Sequence, residues 1–301
     1  MKRIVAIGSA NIIGLLKDAL GNNYNVINGN YNEVVHYSHK RIVYFAQQIY
    51  SADIVYFMGI TNFTGILARI ARIMNKKVIF HWLGTDVWKC LQGENHICKK
   101  SYLADKHLAY SENLKEELTT FGIDAEVYTL SPSGLSLKAA KMPSEHAVLL
   151  SIPDATKEFY GYNELVQVIQ RFPELPFYVV RSERPDFYPW KNIKFCGILD
   201  RKEMDEIYDK ISITIRYPLH DGLSLIMMES TIKGKEMIYK FNHPYSNKVS
   251  SCEEICETLE RILKKKPEVN LHASEYGINN YSQEVSTRNG IRIINEMLGA
   301  I

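Results

Sequence analysis

The sequence predicts an α/β protein built from two doubly wound parallel sheets. Short β-rich runs alternate with helical stretches along almost the whole chain. That alternation breaks once, at a polar stretch over 131–144 that carries Pro132, Gly134 and Pro143. With 301 residues and 46% hydrophobic content, the chain can bury two ordinary cores.

In chain order, the first half reads as strands at 3–7, 24–27, 53–58 and 78–81, separated by helices at 12–20, 38–50 and 63–74. A strand at 106–109 follows, then a helix opened by Ser111, whose Ser-Glu-Asn-Leu run resembles a capping box with Asn in place of the usual acid. Beyond the seam, strands are expected at 146–151, 176–180, 193–195, 211–215 and 237–239. Helices are expected at 161–171, 201–209, 222–233 and 252–265, and an amphipathic helix at 282–298 closes the chain. The expected domains are 1–140 and 145–284, with the terminal helix, about 285–301, packing back on the first.

Composition narrows the function. Thirty-six basic against 34 acidic residues leave a net charge of +2, so no nucleic-acid partner is expected. No window approaches the roughly 20 apolar residues that span a bilayer, and the basic N-terminus is followed by too short an apolar run for a secretory signal. Five scattered cysteines imply free thiols and a cytoplasmic protein. Cys90, His96 and Cys98 could supply three metal ligands, but their spacing fits no common zinc module and a fourth ligand is not evident, so no metal is expected. Cys252 and Cys256, one helical turn apart, suit packing better than catalysis.

The most informative stretch is RYPLHDGLSLIMMES, from Arg216 to Ser230. It follows a buried strand and sets Asp221 and Glu229 eight positions apart around Gly222, a helical spacing that points both acids toward one mouth. Free N–H groups at such a helix start suit a phosphate or sugar hydroxyl, and an acid one turn inside suits a ribose diol. The plainer alternative is that Asp221 caps the helix and Glu229 sits on its solvated face.

Ligands of doubly wound sheets bind beyond the carboxyl ends of the strands. On the N-terminal side this singles out the loops 8–14, 58–61 and 81–86. The first lacks the GxGxxG of a dinucleotide fingerprint, which argues against a nicotinamide oxidoreductase; Gly8 and Ser9 instead suit backbone approach to an acceptor or phosphate. His81 is either a satisfied core histidine or a site residue beside an open Gly-Thr-Asp turn, and the latter is favoured. Asp86 either caps a short helix or binds acceptor hydroxyls, with capping slightly ahead. His220 is expected to pack beside Pro218.

At these residues the chain resembles the retaining glycosyltransferases of the GT-B fold, the glycogen-synthase-like superfamily. The best-matched piece is Asp221-Gly222 through Glu229, followed by Gly234-Lys235; the runs 108–118 and 81–86 match in register. The resemblance covers most of the chain and implies two Rossmann-like domains facing across a cleft, the first on the acceptor side and the second binding the donor. It implies that Glu229 holds the nucleotide ribose, and that Asp221 with the backbone of Gly222, Leu223 and Ser224 holds the donor sugar. His81 would contact that sugar from the other domain. The implied partners are a nucleotide-sugar donor and a glycan or lipid-linked acceptor, with no cofactor or metal, and with positioning and charge stabilisation as the main catalytic devices.

Two departures stand out. The family's first acid is normally Glu, one methylene longer than Asp221. The Arg and Lys that usually clamp the diphosphate are not plainly filled in 150–161, so Lys157, Arg181, Arg201 or Arg216 must substitute, with Arg181 and Arg216 preferred because they end or follow strands. A surface salt bridge is an equal alternative for each. The unfilled clamp also motivates the rival reading, a non-catalytic GT-B-like partner of an active transferase. Finally, Arg69, Arg72, Lys76 and Lys77 accompany Ile66, Leu67, Ile70, Ile73 and Met74, a basic amphipathic segment over 66–77 that suits either peripheral contact with the inner face of a membrane or plain packing on the sheet.

Overall fold

The computed structural model describes residues 1–30, 39–183 and 191–299. The chain forms two compact units: Met1–Gly134 with Tyr281–Ile301, and Leu135–Asn280. The expected helical position at 38 and the last two residues of the expected terminal helix lie outside the described residues.

In the first unit, six strands form one sheet in the order β2-β1-β3-β4-β5-β6, all neighbours parallel. They are β1 (Arg3–Gly8), β2 (Asn25–Asn30), β3 (Ile54–Met58), β4 (Lys77–Trp82), β5 (Lys106–Ala109) and β6 (Glu126–Val127). The central strands read as near-continuous apolar runs, as strands buried on both faces must. One core packs helices α2 (His39–Tyr50), α3 (Asn62–Ile73), α4 (Thr85–Leu91), α5 (Asn95–Cys98) and α6 (Glu112–Thr119) against one face of the sheet. α1 (Ala10–Leu20) belongs to a second core, with the C-terminal helix described below. α3 shows why the sequence turns helical there: Phe63, Leu67, Ala68 and Ala71 recur on one buried stripe, and Thr61 and Thr64 close a reciprocal capping box at its start. Ser111 caps α6 by accepting from the Leu114 N–H.

The second unit repeats the scheme with β7 (Val148–Ser151), β8 (Phe177–Val180), β9 (Ile193–Gly197), β10 (Ile213–Arg216), β11 (Glu236–Tyr239) and β12 (Ser246–Lys248) in the order β12-β11-β10-β7-β8-β9. All of these neighbours are also parallel. This is the doubly wound order 3-2-1-4-5-6, with its switch point between β7 and β10. The helices are α7 (Tyr162–Arg171), α8 (Arg201–Tyr208), α9 (Leu225–Ile232), α10 (Cys252–Leu263) and α11 (Leu271–Tyr281). The final helix, α12 (Gln283–Leu298), returns to the first unit. Tyr128 donates to the Ser286 carbonyl, Tyr24 donates to Asn295 at 2.7 Å, and Arg292 pairs with Glu126.

The polar seam is anchored at its far end. Ala140 N–H donates to the Lys233 carbonyl, and the buried Lys235 ammonium donates to the Lys141 carbonyl at 3.1 Å. Burial, with Lys233's charge also acting against the charged form, holds the Lys235 ammonium down to about 8.

Several expectations need correction. The helix expected at 222–233 begins at Leu225, because Ser224 and not Gly222 is its cap. The expected loop 8–14 is a single-residue turn, since α1 starts at Ala10. The basic segment 66–77 ends as a helix at Ile73, and Lys77 already belongs to β4. Cys90 and Cys98 form a disulfide between α4 and α5, so neither is the free thiol or metal ligand considered from spacing; Cys196, Cys252 and Cys256 are free. The elements α5, α11, β6 and β12 add to those expected from the sequence pattern, and the short helix weighed beside Asp86 is α4, which holds Asp86 in its first turn with Gly84 at its N-cap. Among the described residues no helix is long and apolar enough to cross a membrane.

α11 buttresses α9. Ser274 donates to the Ile232 carbonyl at 2.6 Å, and Gly277 lies so close that an added Cβ would sit 2.7 Å from the Ile232 nitrogen and 2.9 Å from its Cα. Backbone cannot yield as a side chain tip can. Gly277→Ala is therefore expected to cost about 1–3 kcal/mol by overpacking, read as a lower midpoint in thermal denaturation; an unchanged midpoint would show that α11 moves freely over α9.

Candidate functional site

A pocket of about 360 Å³ opens at the carboxyl edge of the second unit's sheet. Its walls come from the ends of successive elements: Ser151 after β7, Arg181 after β8, Ile198 and Leu199 after β9, Arg201 at the start of α8, and Arg216 ending β10. Ser224, Leu225 and Glu229 supply the first turns of α9. The pocket therefore lies at the switch point, where neighbouring connections leave on opposite faces and cannot cover the strand ends. The N-terminus of α9, with its positive dipole end, contributes to the lining.

Three guanidinium groups line this pocket, and two are engaged by acids. Arg216 is buried and donates through Nε to Asp221 at 2.5 Å, while Tyr239 donates to the same carboxylate oxygen at 3.1 Å. The Arg216 guanidinium also lies 5.1 Å from the centre of the Tyr160 ring. Burial alone would lower its pKa, but the charge and hydrogen bond of Asp221 outweigh burial and raise it. Arg201 lies 3.4 Å from one oxygen of Glu229, and Tyr208 donates to the other at 3.0 Å. Burial pushes the Glu229 carboxyl above its usual range, opposed by the Tyr208 hydrogen bond and the Arg201 charge. No described carboxylate pairs with Arg181, the third guanidinium, whose backbone sits at φ +67°. Leu223, just before α9, has φ +104°, a region costly for any residue with a Cβ. The strained position of this turn is thus Leu223 and not its glycine neighbour.

The sequence-derived residues separate accordingly. Ser224, Glu229, Arg181 and Arg216 line one pocket, whereas Gly222, Leu223 and Asp221 do not. Asp221 precedes α9 instead of lying on it, so helical spacing does not apply, and it does not cap the helix either; it sits behind Arg216 against Tyr239. Arg216 meets a buried partner and not the surface salt bridge considered as its alternative. Lys157 stands 4.6 Å over the Tyr162 ring, outside the pocket lining. His220 is buried edge-on to Phe241. Sequence reasoning missed Ser151, Ile198, Leu199, Asp200, Met204, Leu225 and Ile226. The rule that ligands sit beyond strand carboxyl ends, applied to the strand 193–195, would have pointed to Ile198 and Leu199.

In the first unit the structure corrects two expected site residues. His81 is fully buried and its ring is stacked on Tyr128 at 5.6 Å. Its Nε2 lies 2.9 Å from the Tyr128 carbonyl, which can only accept, so Nε2 carries the proton and Nδ1 accepts from the Tyr56 hydroxyl at 2.9 Å. Both ring nitrogens are used and no face is open, which removes the sugar contact expected of it. Asp86 is likewise buried, and its two oxygens accept from the N–H groups of Ile60, Leu83, Gly84 and Val87. Burial raises its pKa while those four bonds pull it down. Asp86 ties the loop after β3 to the loop after β4 and leaves no oxygen for an acceptor hydroxyl.

Gly8 serves packing, since an added Cβ would lie 2.9 Å from both Cβ and O of Met58. Ser9 is half-buried at the start of α1 and makes no side-chain cap bond. Among the described residues no group of three or more His, Cys, Asp or Glu side chains could hold a metal ion.

No protein-family model and no curated protein matches the sequence. Solved structures do match. A sucrose-phosphate synthase from Thermosynechococcus elongatus superposes with TM-score 0.75 at 10% identity, covering 100% of both chains. The lipopolysaccharide outer core galactosyltransferase WaaB gives 0.71 at 14% identity, again over 100% of both. A UDP-GlcNAc 2-epimerase from Methanocaldococcus jannaschii, solved with UDP-GlcNAc and UDP, gives 0.60 at 14% identity over 98% of this chain and 100% of that one. The chain has the GT-B fold.

The buried neutral histidine makes acid stability testable. Desolvation lowers the folded pKa of His81 from about 6.5 to about 3, and burial lowers that of His243 to about 4. A lowered folded pKa contributes stability that is complete above the unfolded value and lost as pH falls toward the folded one. Each histidine should therefore cost about 1.4 kcal/mol per pH unit below about pH 6.5. Melting curves from pH 7 to 5 are expected to fall less steeply for His81→Gln than for the parent protein; equal slopes would mean that His81 takes up its proton in the folded state.

Proposed function

We propose that this protein is a glycosyltransferase that moves a sugar from a nucleotide donor to a hydroxyl of a glycan or lipid-linked acceptor, with retention at the anomeric carbon. The observation that carries the reading is the pocket itself: three arginines, a buried glutamate and a helix N-terminus lining one crevice at the switch point of a GT-B second domain. Solved structures with this fold include a sucrose-phosphate synthase, a galactosyltransferase and a UDP-GlcNAc 2-epimerase.

In this reading Glu229 accepts from the ribose hydroxyls, exchanging its contact with Arg201 for the sugar. Arg201 is then released toward the diphosphate and joins Arg181, which no described carboxylate neutralises. The apolar wall of Ile198, Leu199 and Leu225 faces the base. As the glycosidic C–O bond breaks, the diphosphate oxygen takes up negative charge, and fixed guanidinium groups meet that charge without reorganisation. The acceptor hydroxyl attacks the same face and its proton passes to the departing phosphate oxygen. Arg216 is a positioning residue here, because Asp221 already compensates its charge and the pair sets the pocket wall. Arginines supply the positive charge that a divalent cation would otherwise provide, so transfer should be independent of metal.

Two rival readings have specific support. The 2-epimerase neighbours favour an enzyme that acts on the nucleotide sugar without an acceptor. The mutual compensation of Arg216 with Asp221 and Arg201 with Glu229 suits a GT-B-like partner that no longer binds a donor.

Thermal-shift titration with UDP-, GDP-, ADP- and dTDP-sugars separates these. One donor at 100 times its Kd is expected to stabilise the protein by about 2.7 kcal/mol, undiminished by EDTA. Glu229→Ala and Arg181→Ala should each weaken that donor by about tenfold or more, the loss of one charge-assisted hydrogen bond. No response to any donor would favour the non-catalytic partner, and conversion of the bound sugar in the absence of acceptor would favour the epimerase.

A further inference from the structure

The outer face of α3 is unlike its inner one. Phe63, Leu67 and Ala71 enter the core, but Ile66 is 42% exposed and Ile73 is 84% exposed, with the exposed Arg69 between them on the same face. Two neighbours extend that face. The short turn Ser101–Leu103 packs against α3 and carries Tyr102, 66% exposed; on the other side Tyr50, the last residue of α2, is 74% exposed. Lys76 lies 5.8 Å from the centre of the Tyr50 ring and links the ends of α2 and α3.

Lys100 is held in place on this face. The stem of Lys100 lies across Gly65, so close that an added Cβ would meet Lys100 Cδ at 2.4 Å, and its ammonium donates to Asn62 at 2.6 Å. Its pKa is lowered by burial and by the nearby charge of Arg69, so two like charges share one spot. Of the basic residues here, Arg72 is compensated by Asp105, whereas no described carboxylate pairs with Arg69 or Lys100. Exposed aliphatic and aromatic side chains interleaved with uncompensated cations match the boundary of an anionic bilayer, where rings and branched chains enter the acyl edge and cations meet lipid phosphates.

We propose that the face formed by Ile66, Arg69 and Ile73 of α3, with Tyr50, Lys100 and Tyr102 beside it, docks on an anionic lipid bilayer. This deepens the reading of a lipid-linked acceptor by holding the first unit at the surface where such an acceptor resides. It is measured without nucleotide or acceptor, so its outcome and that of the donor titration are independent.

The test is flotation of the full chain with vesicles of phosphatidylcholine alone or mixed with phosphatidylglycerol. Binding is expected only to the mixed vesicles and should fall with added salt. Arg69→Gln, which removes one charge, is expected to weaken it by about fivefold. Ile66→Ser with Ile73→Ser should weaken it while leaving the salt dependence in place, and Lys264→Glu, on the exposed surface of the second unit, should leave it unchanged. Because these side chains project from the core, the variants should keep the parent melting temperature, which is checked in parallel. The proposal is overturned by no binding, by equal binding to both vesicle types, or by equal loss in Lys264→Glu. A concentration-dependent dimer abolished by the isoleucine pair, without vesicle binding, would assign the face to a second copy and overturn it too.

Discussion

A parallel sheet must be covered on both faces, and that constraint shapes each unit. Its strands are apolar on both sides, so the connecting helices must divide between the two faces. The winding therefore reverses once, and at the reversal the strand ends stay open. In the second unit this happens between β7 and β10, and the pocket with its three arginines lies there. The crevice follows from how the sheet is covered; the arginines and Glu229 give it its chemistry.

Charge compensation decides which groups in that pocket are available. Arg216 and Asp221 are both nearly buried, and removing one partner of such a pair costs several kcal/mol because a desolvated charge is left behind. That pair belongs to the architecture of the site. Arg201 and Glu229 are held more loosely: Arg201 is 37% exposed and the contact is 3.4 Å, a pair that a ligand can exchange at small cost. Arg181 is compensated by no described acid, and its left-handed backbone, like that of Leu223, places strain beside the cavity.

Burial separates site from scaffold in the first unit as well. His81 looks like a site residue because a polar side chain at the end of an apolar strand is rare, and Asp86 because it follows that strand end at the start of a helix. Each instead satisfies buried backbone or hydroxyl groups brought from distant parts of the chain. His81 joins β3 to the Tyr128 backbone, and Asp86 joins the loops after β3 and β4. A polar residue that meets every buried partner within reach is held too tightly to serve a ligand.

The sequence by itself determined most of the strands, most of the helices and the doubly wound class, because alternation of apolar runs is a local signal that depends on burial alone. It also singled out Arg181 and Arg216, since strand ends can be located from the same pattern, whereas Ser224 came only from the family resemblance and Glu229 from that resemblance together with a helical spacing to Asp221 that the structure does not keep. The tertiary structure alone decided which charges meet. That Arg201 reaches Glu229 across 28 positions and that α11 supports α9 are long-range facts with no periodicity to announce them, and even Asp221, five positions from Arg216, meets it through a turn that no helical or strand spacing describes. Pairing of charges is set by distance in space, and sequence spacing reports such distances only within one helix or strand.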